Sequence, residues 1–229
     1  MGISDRNTCK NCNEICKLVK HVESGLDIDN LKSLTNVRYK KKENIVKQNS
    51  HSAHIIYVKS GLVKLFTERR NDKNIILRIA PPGSFLGLTQ LHSSTFDFSA
   101  VALRDCEICL FPKESFMEII YTNKEFSKFI SETSSKFSTF LINKISSLGT
   151  KQMHGRLADV ILYLCSDEFE GLDIYESITR KDIAEMSGMS SESAIRLLTE
   201  FKNDGLIRTT GKKIEVNNFE LLNRLSEIG

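Results

Sequence analysis

At Pro112 the chain changes its hydrophobic period. Upstream, from about residue 37, short runs rich in Val, Ile, Phe and Tyr follow one another: "NIVKQ", "AHIIYVKSGLVKLFTE", "KNIILRIAPPGSFLG", "FSAVAL" and "CEICLFP". Turn signals at Ser60-Gly61, Asn71-Asp72 and Pro81-Pro82-Gly83 separate them. Short, closely spaced strands of this kind predict a compact antiparallel barrel or jelly roll. Downstream of Pro112, over roughly 113–148, Phe126, Ile130, Thr133, Phe137, Leu141, Ile145 and Leu148 recur at steps of three and four. That spacing places them along one stripe of a long helix. Such a seam either packs on the chain's own barrel or pairs with its copy in a second chain, and its length and regularity favour a homodimer.

A third pattern closes the sequence. Residues 178–216 read "ITRKDIAEMSGMSSESAIRLLTEFKNDGLIRTTGKKIEV". Thr179-x-x-Asp182 resembles a capping box ahead of a short helix, and Gly188 supplies a tight turn. Ser190 or Ser191 caps the next helix, which buries Ala194, Leu197, Leu198 and Phe201. Two β runs around Thr210-Gly211 then form a hairpin. Together these predict a winged helix-turn-helix. Its second helix fits the DNA major groove, where each base pair shows its own pattern of donors and acceptors. Ser191, Glu192, Ile195 and Arg196 lie opposite the buried face. Arg196 can donate twice to guanine, while Glu192 can accept from cytosine and hold Arg196 one turn away. Arg180, Lys181, Lys202, Lys212 and Lys213 flank this helix as candidate phosphate contacts.

Charge alone does not announce such a role. The net charge of the whole chain is only +3. Residues 1–149 carry a net +7 and residues 150–229 a net −4, so any DNA surface in the second half is a local patch. No apolar run reaches membrane-spanning length and no cleavable leader is evident, so the expected location is the cytoplasm. No nucleophile–base set is recognisable, and an enzyme is not expected.

The cysteines form a fourth feature. "TCKNCNEICK" places Cys9, Cys12 and Cys16 close together. In a reducing compartment such thiols suit a metal or cluster, or a redox switch, but three are one ligand short of four. Cys106 and Cys109 lie three positions apart, an odd step, on one predicted strand, so they face opposite sides of the sheet. A zinc site completed by Cys109 or His21, and a thiol–disulfide switch, remain open for the same residues, as does the absence of any role. A haem ligated by His51, His54, His92 or His154 has no second signal behind it.

The segment 178–207 resembles the winged helix-turn-helix of the Crp/Fnr transcription regulators through its "IT-R-x-x-I" and "S-x-E-[ST]-x-x-R-x-L" elements, followed in order by "G-K-x-I-x-V" at 211–216. "IYVKSGLVKLF" and "PPGSFLG" are similar to the family's sensory barrel, and 113–148 to its dimer helix. The resemblance implies an α+β chain divided into a Cys-containing segment (1–22), a cyclic-nucleotide-binding-like β-barrel (23–112), a dimerisation helix (113–149) and a winged helix-turn-helix (150–229). It also implies a homodimer on palindromic double-stranded DNA, with RNA polymerase as a further partner. In the family, residues at the Glu192 and Arg196 positions read a G·C pair in each half-site, and Ile195 stands where Ser or Gly is usual.

Cyclic-nucleotide-binding members carry a Glu and an Arg where this chain has Leu88 and Phe98, so cyclic nucleotide is not the expected ligand. Oxygen-sensing members resemble this chain in an N-terminal cysteine trio and a fourth cysteine late in the barrel. The implied ligand set for a [4Fe–4S] cluster is Cys9, Cys12, Cys16 and Cys109. The gap between Cys12 and Cys16 is shorter than the family's usual one.

Overall fold

The structure is a computed structural model that describes residues 34–69 and 74–229. The strands are β1 (Thr35–Tyr39), β2 (Asn44–Val46), β3 (His54–Ser60), β4 (Val63–Thr67), β5 (Ile75–Ala80), β6 (Phe85–Leu86), β7 (Ser99–Ala102) and β8 (Cys106–Pro112). They form two four-stranded sheets in the orders β1-β8-β3-β6 and β2-β7-β4-β5. The expected jelly-roll character is therefore present. Helices α1 (Lys113–Thr122), α2 (Lys124–Thr150) and α3 (Met153–Leu164) follow, then α4 (Arg180–Ser187) and α5 (Ser191–Asn203). A hairpin of β9 (Ile207–Thr210) and β10 (Lys213–Val216) leads to α6 (Phe219–Ile228). None of the described helices is long and apolar enough to cross a membrane.

The described chain divides into two compact units. One runs to Thr67 and resumes over Ile79–Thr139. The other comprises Glu68–Arg78 and Phe140–Gly229.

In the first unit, the period-2 alternation of β3 sends Ile55 and Tyr57 to one face of the sheet and Ile56 and Val58 to the other, and all four are buried. The face bearing Ile55, Tyr57 and Phe111 packs against Phe116 and Ile119 of α1 and Phe126 and Ile130 of α2. Phe116 stands edge-on to both Phe85 and Phe126, with ring centroids 5.8 and 5.4 Å apart. Burying an aromatic side chain this fully contributes about 1.5–3 kcal/mol, and such edge-to-face pairs add to it. At the start of β4 the chain passes very close to Cys106. A Cβ on Gly61 would lie 2.5 Å from the Cys106 sulfur, and Gly61 has φ +93, so only glycine fits there.

The stripe expected along 126–148 meets different surroundings along its length. Phe126 and Ile130 are 1% and 5% exposed, held within their own chain's core. Thr133 is half-buried and donates to the Phe129 carbonyl, and Phe137 and Leu141 are half-buried too. Further along α2 the exposed apolar side chains are Ile142 (65%) and Ile145 (70%). Leu148 turns instead toward Gly188. The periodicity correctly places apolar residues on the helix, but different surroundings cover them along its length.

Candidate nucleic-acid interface and barrel thiols

The second unit presents one helix outward by fixing both of its ends. Thr179 and Asp182 form a full capping box at the start of α4. The Thr179 hydroxyl accepts from the Asp182 amide, and the Asp182 carboxylate accepts from the Thr179 amide at 2.7 Å. Asp thus fills the position where Glu or Gln is usual. Gly188 ends α4 with φ +61, in the left-handed region. Ser190 then caps α5, accepting from the Ser193 amide. Ala194, Leu197, Leu198 and Phe201 are buried, as the helical period predicts.

The opposite face carries Glu192, Ile195 and Arg196, all exposed, with Ser191 half-buried. Glu192 and Arg196 make no ion pair. The Glu192 carboxyl is held below its usual range by its own backbone N–H and then by Ser190. Arg196 therefore projects as a two-pronged donor from the middle of an exposed helix face. Sequence reasoning omitted Thr199, which lies one turn beyond Ile195 on the same face and donates to the Ile195 carbonyl. Its signal was the continuation of the i, i+4 step.

The flanking cations are not equivalent. Lys202 and Lys212 are exposed. Lys213 pairs with Glu215 at 2.8 Å, and Arg208 pairs with the same carboxylate. That carboxyl is consequently pushed down to about 2, first by Lys213 and then by Arg208. Lys181 lies 3.7 Å from Glu185. Arg180 reaches the Gly211 carbonyl of the wing turn, and partial burial lowers its affinity for its proton. It braces the hairpin against α4.

In the barrel, Cys9, Cys12 and Cys16 lie outside the described residues. Cys109 and Cys106 face opposite sides of β8. Cys106 is 3% exposed, and its thiol donates to the Leu62 and Arg104 carbonyls; burial pushes its pKa up. Cys109 is half-buried and packs against the cluster on the helix-covered face. It lies opposite Asn36 on β1 and Tyr57 on β3. Leu34, at the start of the described chain, joins the same cluster.

The cyclic-nucleotide positions are used differently. Phe98 is 6% exposed and stands edge-on to Phe96. Ser99 accepts from the Gln48 amide at 2.9 Å. Leu88 packs onto the helix-covered cluster. The buried cation of this region is Lys113, whose ammonium donates to the Gln90 and Ser93 carbonyls and so braces the segment from the protein side.

Comparison with known proteins gives two family matches: the cyclic nucleotide-binding domain over residues 36–123 and the Crp-like helix-turn-helix domain over residues 155–225. The cAMP-activated global transcriptional regulator CRP of Salmonella typhimurium is 25% identical over 186 residues, covering 78% of this chain and 88% of that protein. The transcriptional activator protein anr of Pseudomonas aeruginosa is 22% identical over 219 residues, covering 91% and 88%. Among solved structures, FixK2 from Bradyrhizobium japonicum has a TM-score of 0.74 at 19% identity, covering 84% of this chain and 96% of that one.

Proposed function

Because the chain belongs to the Crp/Fnr family of transcription regulators and is a DNA-binding regulator, not an enzyme, we propose that it acts as a homodimer on palindromic DNA and senses oxygen or nitric oxide. The sensor in this reading is a [4Fe–4S] cluster held by Cys9, Cys12, Cys16 and Cys109. Arg196, with Glu192 and Ile195 beside it, reads base edges, while Lys202 and Lys212 meet phosphates. Ile142 and Ile145, exposed and apolar on α2, supply part of the surface that a second copy covers.

The observation that carries the sensing half is the placement of Cys109. It sits on the outer, helix-covered face of β8, opposite Asn36 of β1, the first described strand. Cys106 faces the interior, and its burial opposes the thiolate form that ligation requires. The donor set fits the group, since thiolates are the soft ligands of iron–sulfur clusters. When bound, the cluster supplies a centre that oxygen or nitric oxide can attack. The protein's part is to tie residues 9–16 to β8, against which α1 and α2 pack. Release of that tie alters the packing of α2 and, through it, the spacing of two reading helices in a dimer.

Iron and sulfide analysis of protein purified without oxygen tests this reading. About four irons per chain are expected, lost on Cys109→Ser. A colourless preparation without iron, or one holding only zinc, overturns the cluster. Iron retained in full by Cys109→Ser overturns the ligand set.

A further inference from the structure

Within the second unit a cavity of about 400 Å³ lies among the C-terminal part of α2, α3, the end of α4 and α6. That volume is in the range of small-molecule sites. Its lining includes Lys144, Lys151 and Arg156 against a single carboxylate, Asp159. The carboxylate is already engaged. Lys151 holds both of its oxygens at 2.9 and 3.0 Å, and the hydroxyls of Ser147 and Ser226 donate to it as well. Among the described residues, Lys144 and Arg156 have no anionic partner. Lys144 donates to the Met186 carbonyl at 2.9 Å. Arg156 makes a long contact from Nη1 to the Gly188 carbonyl at 3.4 Å, and its buried Nε has no hydrogen-bond partner among the described residues. A buried guanidinium N–H with no acceptor costs free energy that an incoming acceptor recovers.

We propose that this cavity binds a small anionic metabolite, with its phosphate or carboxylate group seated between Lys144 and Arg156. The low proton affinity of Lys144 agrees with a cation lacking compensation: burial pushes its pKa down to about 8, and Asp159 only partly opposes this. Occupancy has a direct route to DNA. The carbonyls that Lys144 and Arg156 now hold belong to Met186, in the last turn of α4, and Gly188, the turn residue before α5. An anion that takes these donors releases the turn that aims the reading helix. It therefore weakens specific DNA binding, and DNA weakens the anion's binding by the same factor. This inference rests on the family's DNA-binding role and is independent of the cluster.

The test is thermal stability and DNA affinity of the full chain titrated with inorganic phosphate, glycerol phosphate and citrate, against chloride at equal ionic strength. A saturable rise in Tm and a several-fold loss of DNA affinity are expected. A stronger response to the phosphates than to citrate identifies a phosphorylated ligand, and the reverse a carboxylic acid. Lys144→Gln and Arg156→Gln, assayed separately so that one suffices if the other fails to fold, should each abolish the Tm response. Arg196→Ala should retain it. No response beyond chloride, an undiminished response in the cavity variants, or loss of the response in Arg196→Ala, which would place the anion on the DNA face, each overturns the proposal.

Discussion

Leu148, near the end of the long helix α2, packs into the space left by the missing side chain of Gly188. A Cβ on Gly188 would lie 2.7 Å from the Leu148 Cδ2 atom. Gly188 also holds φ +61, so an L-residue there incurs both left-handed strain and a collision. Gly188→Ala should cost about 1–2 kcal/mol from the backbone alone, and more from displacing Leu148. Urea unfolding measures the sum. In the Leu148→Ala background the same substitution should cost less, because the collision is gone while the strain remains. Equal costs in both backgrounds would show that the contact contributes nothing.

The helix-turn-helix was legible because its signals are local. A cap at Thr179, a glycine turn, a cap at Ser190 and a 3.6-residue period each act over a few residues, and the structure keeps all of them. The stripe along α2 was only half legible. Periodicity says which residues share a face, not what covers it. Phe126 and Ile130 are covered by Phe116 and the β-sheet of their own unit, and that contact depends on residues far away in sequence. Glu192 shows the same limit at short range. Its spacing to Arg196 allowed an ion pair, but its carboxyl is lowered instead by its own backbone N–H and by Ser190. Lys113 and Lys144 gave no sequence signal, since an isolated lysine reads as a solvated one until the fold buries it.

The two barrel thiols should differ in reactivity. Cys106 is sealed in the interior with a raised pKa, whereas Cys109 is half-exposed. In native protein free of metal, an alkylating reagent should label Cys109 well before Cys106, as read by peptide mass spectrometry over time. Cys106→Ser should leave iron content intact under anaerobic conditions while lowering stability, since it buries a more polar group. Faster labelling of Cys106 would reverse the assignment of faces.

DNA contacts should separate into two kinds. Arg196→Ala should cost roughly 1–3 kcal/mol on the specific site and relax preference at one base pair per half-site. Lys212→Ala should weaken all sequences alike and reduce the salt slope by about one. Lys213→Ala should reduce that slope less, because Glu215 already holds its ammonium. Mobility shifts at several salt concentrations resolve these effects. Equal slopes for the two lysine variants would show that the Lys213–Glu215 pair opens on DNA.

Lys144 gives stability a pH dependence of defined sign. Its pKa is lowered in the folded protein to about 8, from an ordinary 10.5, chiefly by burial. Below pH 8 both folded and unfolded chains carry the charge, and the desolvation penalty is present in full. Between about 8 and 10.5 the unfolded chain holds more protons than the folded one, so stability attributable to this residue rises with pH across that window. Other groups titrate nearby, including the Cys106 thiol and Lys113, with its lowered pKa. Both are common to the wild type and to Lys144→Met and so cancel in the difference. Unfolding free energies at pH 7.5 and 9.5 should therefore show a gain in the wild type that exceeds the gain in Lys144→Met. Saturating phosphate should shrink that excess, because an anion beside the ammonium favours its charged form and raises the folded pKa back toward its ordinary value. Parallel pH profiles for the two proteins would mean that the Lys144 ammonium is solvated and that the cavity exerts no hold on it.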